Sequence, residues 1–146
     1  MKILVLNGPN LNLLGRREPE IYGRGTYAEL ADYVNRSAAE LGLEVEILQS
    51  NHEGVLVDAI QAAADTAQGI VINPAAYTHT SVAILDALRA VGLPAAEVHL
   101  SEPLEREEFR RVSYAGLACE KRFAGLGFEG YRLALAYLRG RCGGDT

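Results

Sequence analysis

The chain has 146 residues, nearly half of them apolar, with few aromatics and a formal charge of −5. That length suits one domain with a core of its own, and the acidic balance speaks against a nucleic-acid surface. Its two cysteines, Cys119 and Cys142, stand in no metal or redox spacing, which excludes a disulfide scaffold. The apolar stretch after Met1-Lys2 is too short for a signal peptide, and no later run is long enough for a bilayer. A soluble cytoplasmic protein without membrane contact is the expectation.

Residues 2–7 read as a strand, an apolar run of β-formers that ends in the turn Asn7-Gly8-Pro9-Asn10. From there to Gly23 no helical or strand period appears. A connection that long in a compact domain tends to be functional, and this one carries two arginines and Tyr22. A helix is expected over 26–41, with Leu30, Val34, Ala38 and Leu41 on one face. Residues 43–48 alternate like a strand exposed on one side, and Leu56, Ile60, Ala63 and Ala67 mark the next helix. Residues 69–72 read as a fully buried strand, 80–91 as a helix burying Ile84, Leu88 and Val91, and 94–99 as a fourth strand. A charged turn from Glu105 to Arg111 leads to a weak fifth strand near 118–124. Phe128, Tyr131, Leu135 and Leu138 then stripe a final helix.

Strands alternating with helices through short links imply an α/β fold, a doubly wound parallel sheet of five strands with helices on both faces. In such a sheet the active crevice lies outside the carboxyl ends of the strands. That rule selects residues 7–23, 49–54, 73–81 and 99–111, which hold all three histidines, His52, His79 and His99.

After the third strand comes Asn73-Pro74-Ala75-Ala76-Tyr77-Thr78-His79-Thr80-Ser81. Thr and Ser suit helix capping there, while Asn73 and His79 place polar groups where a ligand would sit. The nearby helix start would keep His79 neutral. Glu97 and His99 are two apart on a strand and share a face, and a carboxylate beside an imidazole suits a general acid. Arg106 and Arg110, one helical turn apart, fit either a solvated face or a grip on a substrate carboxylate or hydroxyl. Asp86 lies opposite the apolar stripe of its helix, facing solvent or another subunit. Gly125-Leu126-Gly127-Phe128-Glu129-Gly130 spells a dinucleotide fingerprint, but it opens the last helix with no strand downstream. It is read as close backbone packing. The histidines lack metal-ligand spacing, so no metal is expected, and the two lysines, Lys2 and Lys121, are poorly placed for Schiff-base chemistry.

Six segments carry a resemblance to one family. They are residues 7–15, Arg17-Glu18-Pro19 through Tyr22-Gly23, Asn73-Pro74, Thr78 to Ala83, Glu97 to Ser101, and Arg106 to Arg110. In order and spacing they resemble type II 3-dehydroquinate dehydratases, over nearly the whole chain. The resemblance implies a flavodoxin-like fold in one domain, 1–146, with residues 16–24 as an active-site lid. It also implies a lyase of the shikimate route, removing water from 3-dehydroquinate by anti elimination through an enolate without metal or cofactor.

By the same resemblance Tyr22 is the base and Arg17 favours its tyrosinate. Lowering a phenol by about two units needs roughly 3 kcal/mol of differential stabilisation. Asn10 positions the loop, and Asn73 holds the water or enolate oxygen. His99, oriented by Glu97, protonates the departing hydroxyl. Leu100 and Ser101 bind the substrate carboxylate, while His79 and Arg110 grip the ring hydroxyls. The family assembles as dodecamers built from trimers, which would bring Asp86 in from a neighbour. The chain departs from the family pattern at Ala75, Leu85, Glu102-Pro103-Leu104 and Lys121. The rival readings are another small lyase or hydrolase acting on a hydroxylated acid, and a flavodoxin-like module binding flavin or serving phosphoryl signalling.

Overall fold

The computed structural model describes residues 1–16, 18–22 and 25–143, the side chains of Pro19 and Tyr22 excepted. Five parallel strands form one sheet in the order β2-β1-β3-β4-β5. They are β1 (Lys2–Asn7), β2 (Glu44–Gln49), β3 (Gly69–Asn73), β4 (Ala95–His99) and β5 (Lys121–Ala124). The helices are α1 (Pro19–Tyr22), α2 (Tyr27–Glu40), α3 (Glu53–Thr66), α4 (Val82–Val91) and α5 (Glu129–Cys142). No helix of the described residues is long and apolar enough to cross a membrane.

The two-residue period of a strand sorts the core into two layers. Ile3, Val5, Val71, Ala96 and Val98 point to one face and pack on Leu30 and Val34 of α2 and on Tyr131, Leu135 and Leu138 of α5. Leu4, Leu6, Ile70, Ile72 and Ala95 point to the other and meet Leu56 and Ile60 of α3 and Ile84 and Leu88 of α4. Burying a large aliphatic side chain contributes roughly 1.5–3 kcal/mol, so these two seams fix which helix covers which face. Thr26 starts α2 with a capping box, its hydroxyl accepting from the Glu29 N–H at 3.1 Å while Glu29 reaches back to the Thr26 N–H at 3.3 Å.

Two regions differ from expectation. The connection after β1 contains a 3-10 turn, Leu11–Leu13, and the single-turn α1, too short to show a period in sequence. The charged turn is broken in two, so Arg106 and Arg110 do not stand one helical turn apart. Pro103–Glu105 and Glu108–Arg111 are separate 3-10 turns, split where Arg106 is extended at φ −105°.

The chain leaves β1 for β2 at the edge, then crosses back to β3 on the other side of β1. The switch point therefore falls between β1 and β3, whose ladder ends on the pair Asn7 and Asn73.

Candidate active site

Gly8 explains how the first motif reaches the crevice. Its N–H donates to the Asn73 carbonyl at 2.8 Å, and a Cβ there would sit 2.3 Å from the Pro74 carbonyl oxygen. Only glycine lets the two strand ends approach so closely. Asn10 follows in the left-handed region at φ 69°, which Asn tolerates better than most residues. Its N–H donates to Asn51 Oδ1 at 3.0 Å. Gln49, at the end of β2, anchors the same turn by donating to the Gly8 carbonyl at 3.1 Å.

Outside the ends of β1, β3 and β4 lies a cavity of about 180 Å³, sized for a small polar molecule rather than a dinucleotide. Asn10, Asn73, His79 and His99 line it, together with Leu100, Ser101 and Arg110. Arg106 and Ala75 also contribute to the wall. Glu97 stands behind His99, and Asp86 is exposed on α4 away from this cavity. Arg17 lies outside the described residues, as does the Tyr22 side chain. The backbone of Tyr22 closes α1, whose Glu20 and Ile21 share an adjoining depression with Leu100, Ser101 and Arg106. Glu20 and Ile21 thus lie against the rim.

The Glu97–His99 end of the site is buried. Glu97 is 1% exposed and His99 6%. His99 Nε2 and Glu97 Oε2 are 2.6 Å apart, and the Ser113 hydroxyl donates to the same oxygen at 2.6 Å while accepting from the Gly116 N–H at 2.9 Å. Burial works to raise the Glu97 pKa. The hydrogen bond and charge of His99, the Ser113 hydroxyl and the Arg122 guanidinium outweigh it and hold the carboxyl below its ordinary value. Arg122 sits beside Glu97 in the β4–β5 register and bonds Glu102 at 2.7 Å, so the Glu102 departure is an ion-pair partner for that arginine. A carboxylate can only accept, so Nε2 carries a hydrogen and Nδ1 is the ring nitrogen left for a ligand. Gly116 is required here, since a Cβ would stand 2.7 Å from Glu97 Oε1.

His79 is held differently. Its Nδ1 lies 2.7 Å from the Val112 carbonyl, which fixes the hydrogen on Nδ1 and leaves Nε2 as an acceptor. Its pKa is lowered, chiefly by burial and then by the His99 and Arg110 charges, against the Val112 bond that raises it. Neutrality was expected from the helix start, but the cause is desolvation. The capping role falls to Ser81, which accepts from the Ile84 N–H at 2.9 Å and donates to Glu53.

The glycine-rich turn is spent on packing. The Gly125 N–H reaches the Ser101 carbonyl at 3.1 Å, the Gly127 N–H reaches that of Leu100 at 3.2 Å, and a Cβ at Gly130 would stand 3.3 Å from Val98 Cγ1. His52 is exposed at the start of α3, outside the cavity. Among the described residues no three His, Cys, Asp or Glu side chains gather as a metal site. Ser113, Asn7 and Tyr131 were not anticipated. Ser113 bonds Glu97 from 16 positions away and Tyr131 bonds Asn73 from 58, while Asn7 bonds Tyr131, and nothing local in their spacing announces it.

Comparison with known proteins agrees with this geometry. The family described as Dehydroquinase class II matches residues 1–139. A 3-dehydroquinate dehydratase of Corynebacterium glutamicum is 56% identical over 137 residues, 94% of each chain. One from Clostridium acetobutylicum is 49% identical over 139 residues, 95% of this chain and 96% of the relative. The crystal structure of a type II dehydroquinase from Butyrivibrio crossotus superposes with a TM-score of 0.94 at 48% identity, covering 96% of this chain and 98% of that one. The chain belongs to the dehydroquinase class II family.

Proposed function

We propose that the protein is a type II 3-dehydroquinate dehydratase that eliminates water from 3-dehydroquinate through an enolate, on the shikimate route to aromatic amino acids. The observation that carries the reading is His99, bonded through Nε2 to an ionised, buried Glu97, with Nδ1 free for a ligand in the cavity at the switch point. Tyr22, its tyrosinate favoured by Arg17, takes the proton next to the ketone. The electron pair moves onto the ketone oxygen, which Asn73 steadies directly or through a water. The ketone then re-forms, the ring double bond closes, and the hydroxyl leaves with the proton from His99 Nδ1.

Around that centre the other groups orient the ring. Ser101 and the amides of residues 100 and 101 take the carboxylate. His79 Nε2 accepts from a ring hydroxyl, and Arg110 donates to another. Asn10 holds the loop in place, and closure of residues 16–24 excludes water. All of these steps are proton transfers between side chains and substrate, and none calls on a metal or a cofactor.

The assembly is a dodecamer, a tetramer of trimers, in the cytoplasm, in which Asp86 serves a neighbour's site. Supporting this, Asp86 is exposed on α4, and Val82, Leu104, Phe109, Val112 and Leu117 expose apolar side chains. Light scattering tests it, and a stable monomer would take Asp86 out of the mechanism. The activity is tested by mixing purified protein with 3-dehydroquinate and a chelator. An ultraviolet rise from the conjugated enone is expected, and a folded protein giving none would overturn the proposal.

A further inference from the structure

A polar chain beneath the switch point ends on Asn73. Asn7 and Asn73 close β1 and β3 on the same rung, so both side chains project to the face covered by α2 and α5. Tyr131, fully buried in α5, sets its hydroxyl between them. It donates to Asn7 Oδ1 at 2.7 Å and accepts from Asn73 Nδ2 at 2.9 Å. Asn7 Nδ2 donates onward to the Tyr27 hydroxyl at 3.4 Å.

The direction of donation is fixed. Asn73 Oδ1 accepts from the Ala75 N–H at 3.2 Å, and a flipped amide would set its amino group against that donor. Nδ2 must therefore face Tyr131. A phenol has a single hydrogen, and it goes to Asn7, so Tyr131 meets Asn73 as an acceptor. One hydrogen of Nδ2 is used there, and the second remains on a residue that lines the cavity. Burial keeps the Tyr131 phenol well above its ordinary pKa, so the hydroxyl retains its hydrogen. A phenylalanine would fill nearly the same space and leave two buried amides short of a partner.

We propose that Tyr131 is a positioning residue for the dehydration, its hydroxyl locking the Asn73 amide so that an N–H meets the oxygen that gains charge on the substrate. The inference rests on the dehydratase reading above, and Tyr131 itself does not line the cavity.

A double-mutant cycle tests it, with kcat, KM and melting temperature measured for the parent, Tyr131→Phe, Asn73→Ala and the pair on 3-dehydroquinate. Tyr131→Phe should lower kcat about tenfold with KM changed less than about threefold. It should lower kcat no further once residue 73 is alanine. A purely structural role would depress the melting temperature alone, or cut kcat equally in both backgrounds, and either result overturns the inference. Asn7→Ala leaves the aromatic ring in the core and decides by the same criteria if Tyr131→Phe does not fold. An inactive parent would overturn the dehydratase reading and this inference with it, and that result is visible before any variant is compared.

Discussion

Two histidines line one cavity, and the groups behind them differ. At the end of β4, His99 backs onto the Glu97 carboxylate, itself held by Ser113 and the nearby Arg122 charge. At the turn before α4, His79 backs onto the Val112 carbonyl and is kept neutral mainly by burial. In the proposed mechanism the same ring gives a proton in one region and accepts a hydrogen bond in the other. What distinguishes them is the second nitrogen's partner, a charge in one case and a dipole in the other.

Breaking the charged side should cost most. Glu97→Gln leaves His99 without a counter-charge, and kcat should fall by about 10²–10⁴-fold in a folded protein. Turnover near the parent's would separate the carboxylate from the chemistry. Ser113→Ala is milder, with an expected loss of about tenfold. Removing that hydrogen bond raises the Glu97 pKa toward its ordinary value, so the acid limb of the pH–kcat profile should start at higher pH. An unshifted limb would count against Ser113.

The neutral side is sharpened by stability against pH. His79 has a folded pKa below its ordinary 6.5, so as pH falls below 6.5 the unfolded chain takes up the proton first and stability declines. The depressed Glu97 carboxyl gives stability present above its ordinary 4.5 and lost as pH falls through its lower folded value. Denaturant titrations of His79→Gln should therefore lose the decline that begins below 6.5 and keep the carboxylate one. Identical profiles for parent and variant would assign that decline elsewhere. The smallest effect belongs to Ala75, a non-glycine residue at φ 54° on the cavity wall. Ala75→Gly relieves left-handed strain at some cost in chain entropy, for a net gain of about 0.5 kcal/mol, or about 1–2 °C in Tm. A lower Tm would mean the methyl packs usefully.

The Glu97–His99 pair was legible because strand spacing alone puts both on one face. Asn73, His79 and Ser101 were legible because strand ends in a doubly wound sheet converge on one crevice. Residues placed by tertiary packing were not. Ser113 reaches Glu97 from a turn 16 residues on, and Tyr131 reads in sequence as one more apolar position on the last helix. Its hydroxyl acquires a purpose only when α5 lies under the β1–β3 rung, 124 residues from Asn7. The charged 105–111 segment was legible as a turn, but the helical spacing of its arginines was not kept, because Arg106 is extended and the two arginines reach the cavity from separate turns.

The division of labour between a base on the loop and an acid on β4 has one direct test. His99→Ala is incubated with 3-dehydroquinate in deuterated water, and the recovered substrate is examined by NMR. The account predicts exchange of the hydrogen next to the ketone without formation of the conjugated enone, since Tyr22 still forms the enolate and only departure of the hydroxyl is blocked. Undiminished enone formation, or loss of exchange and elimination together while substrate still binds, would contradict it.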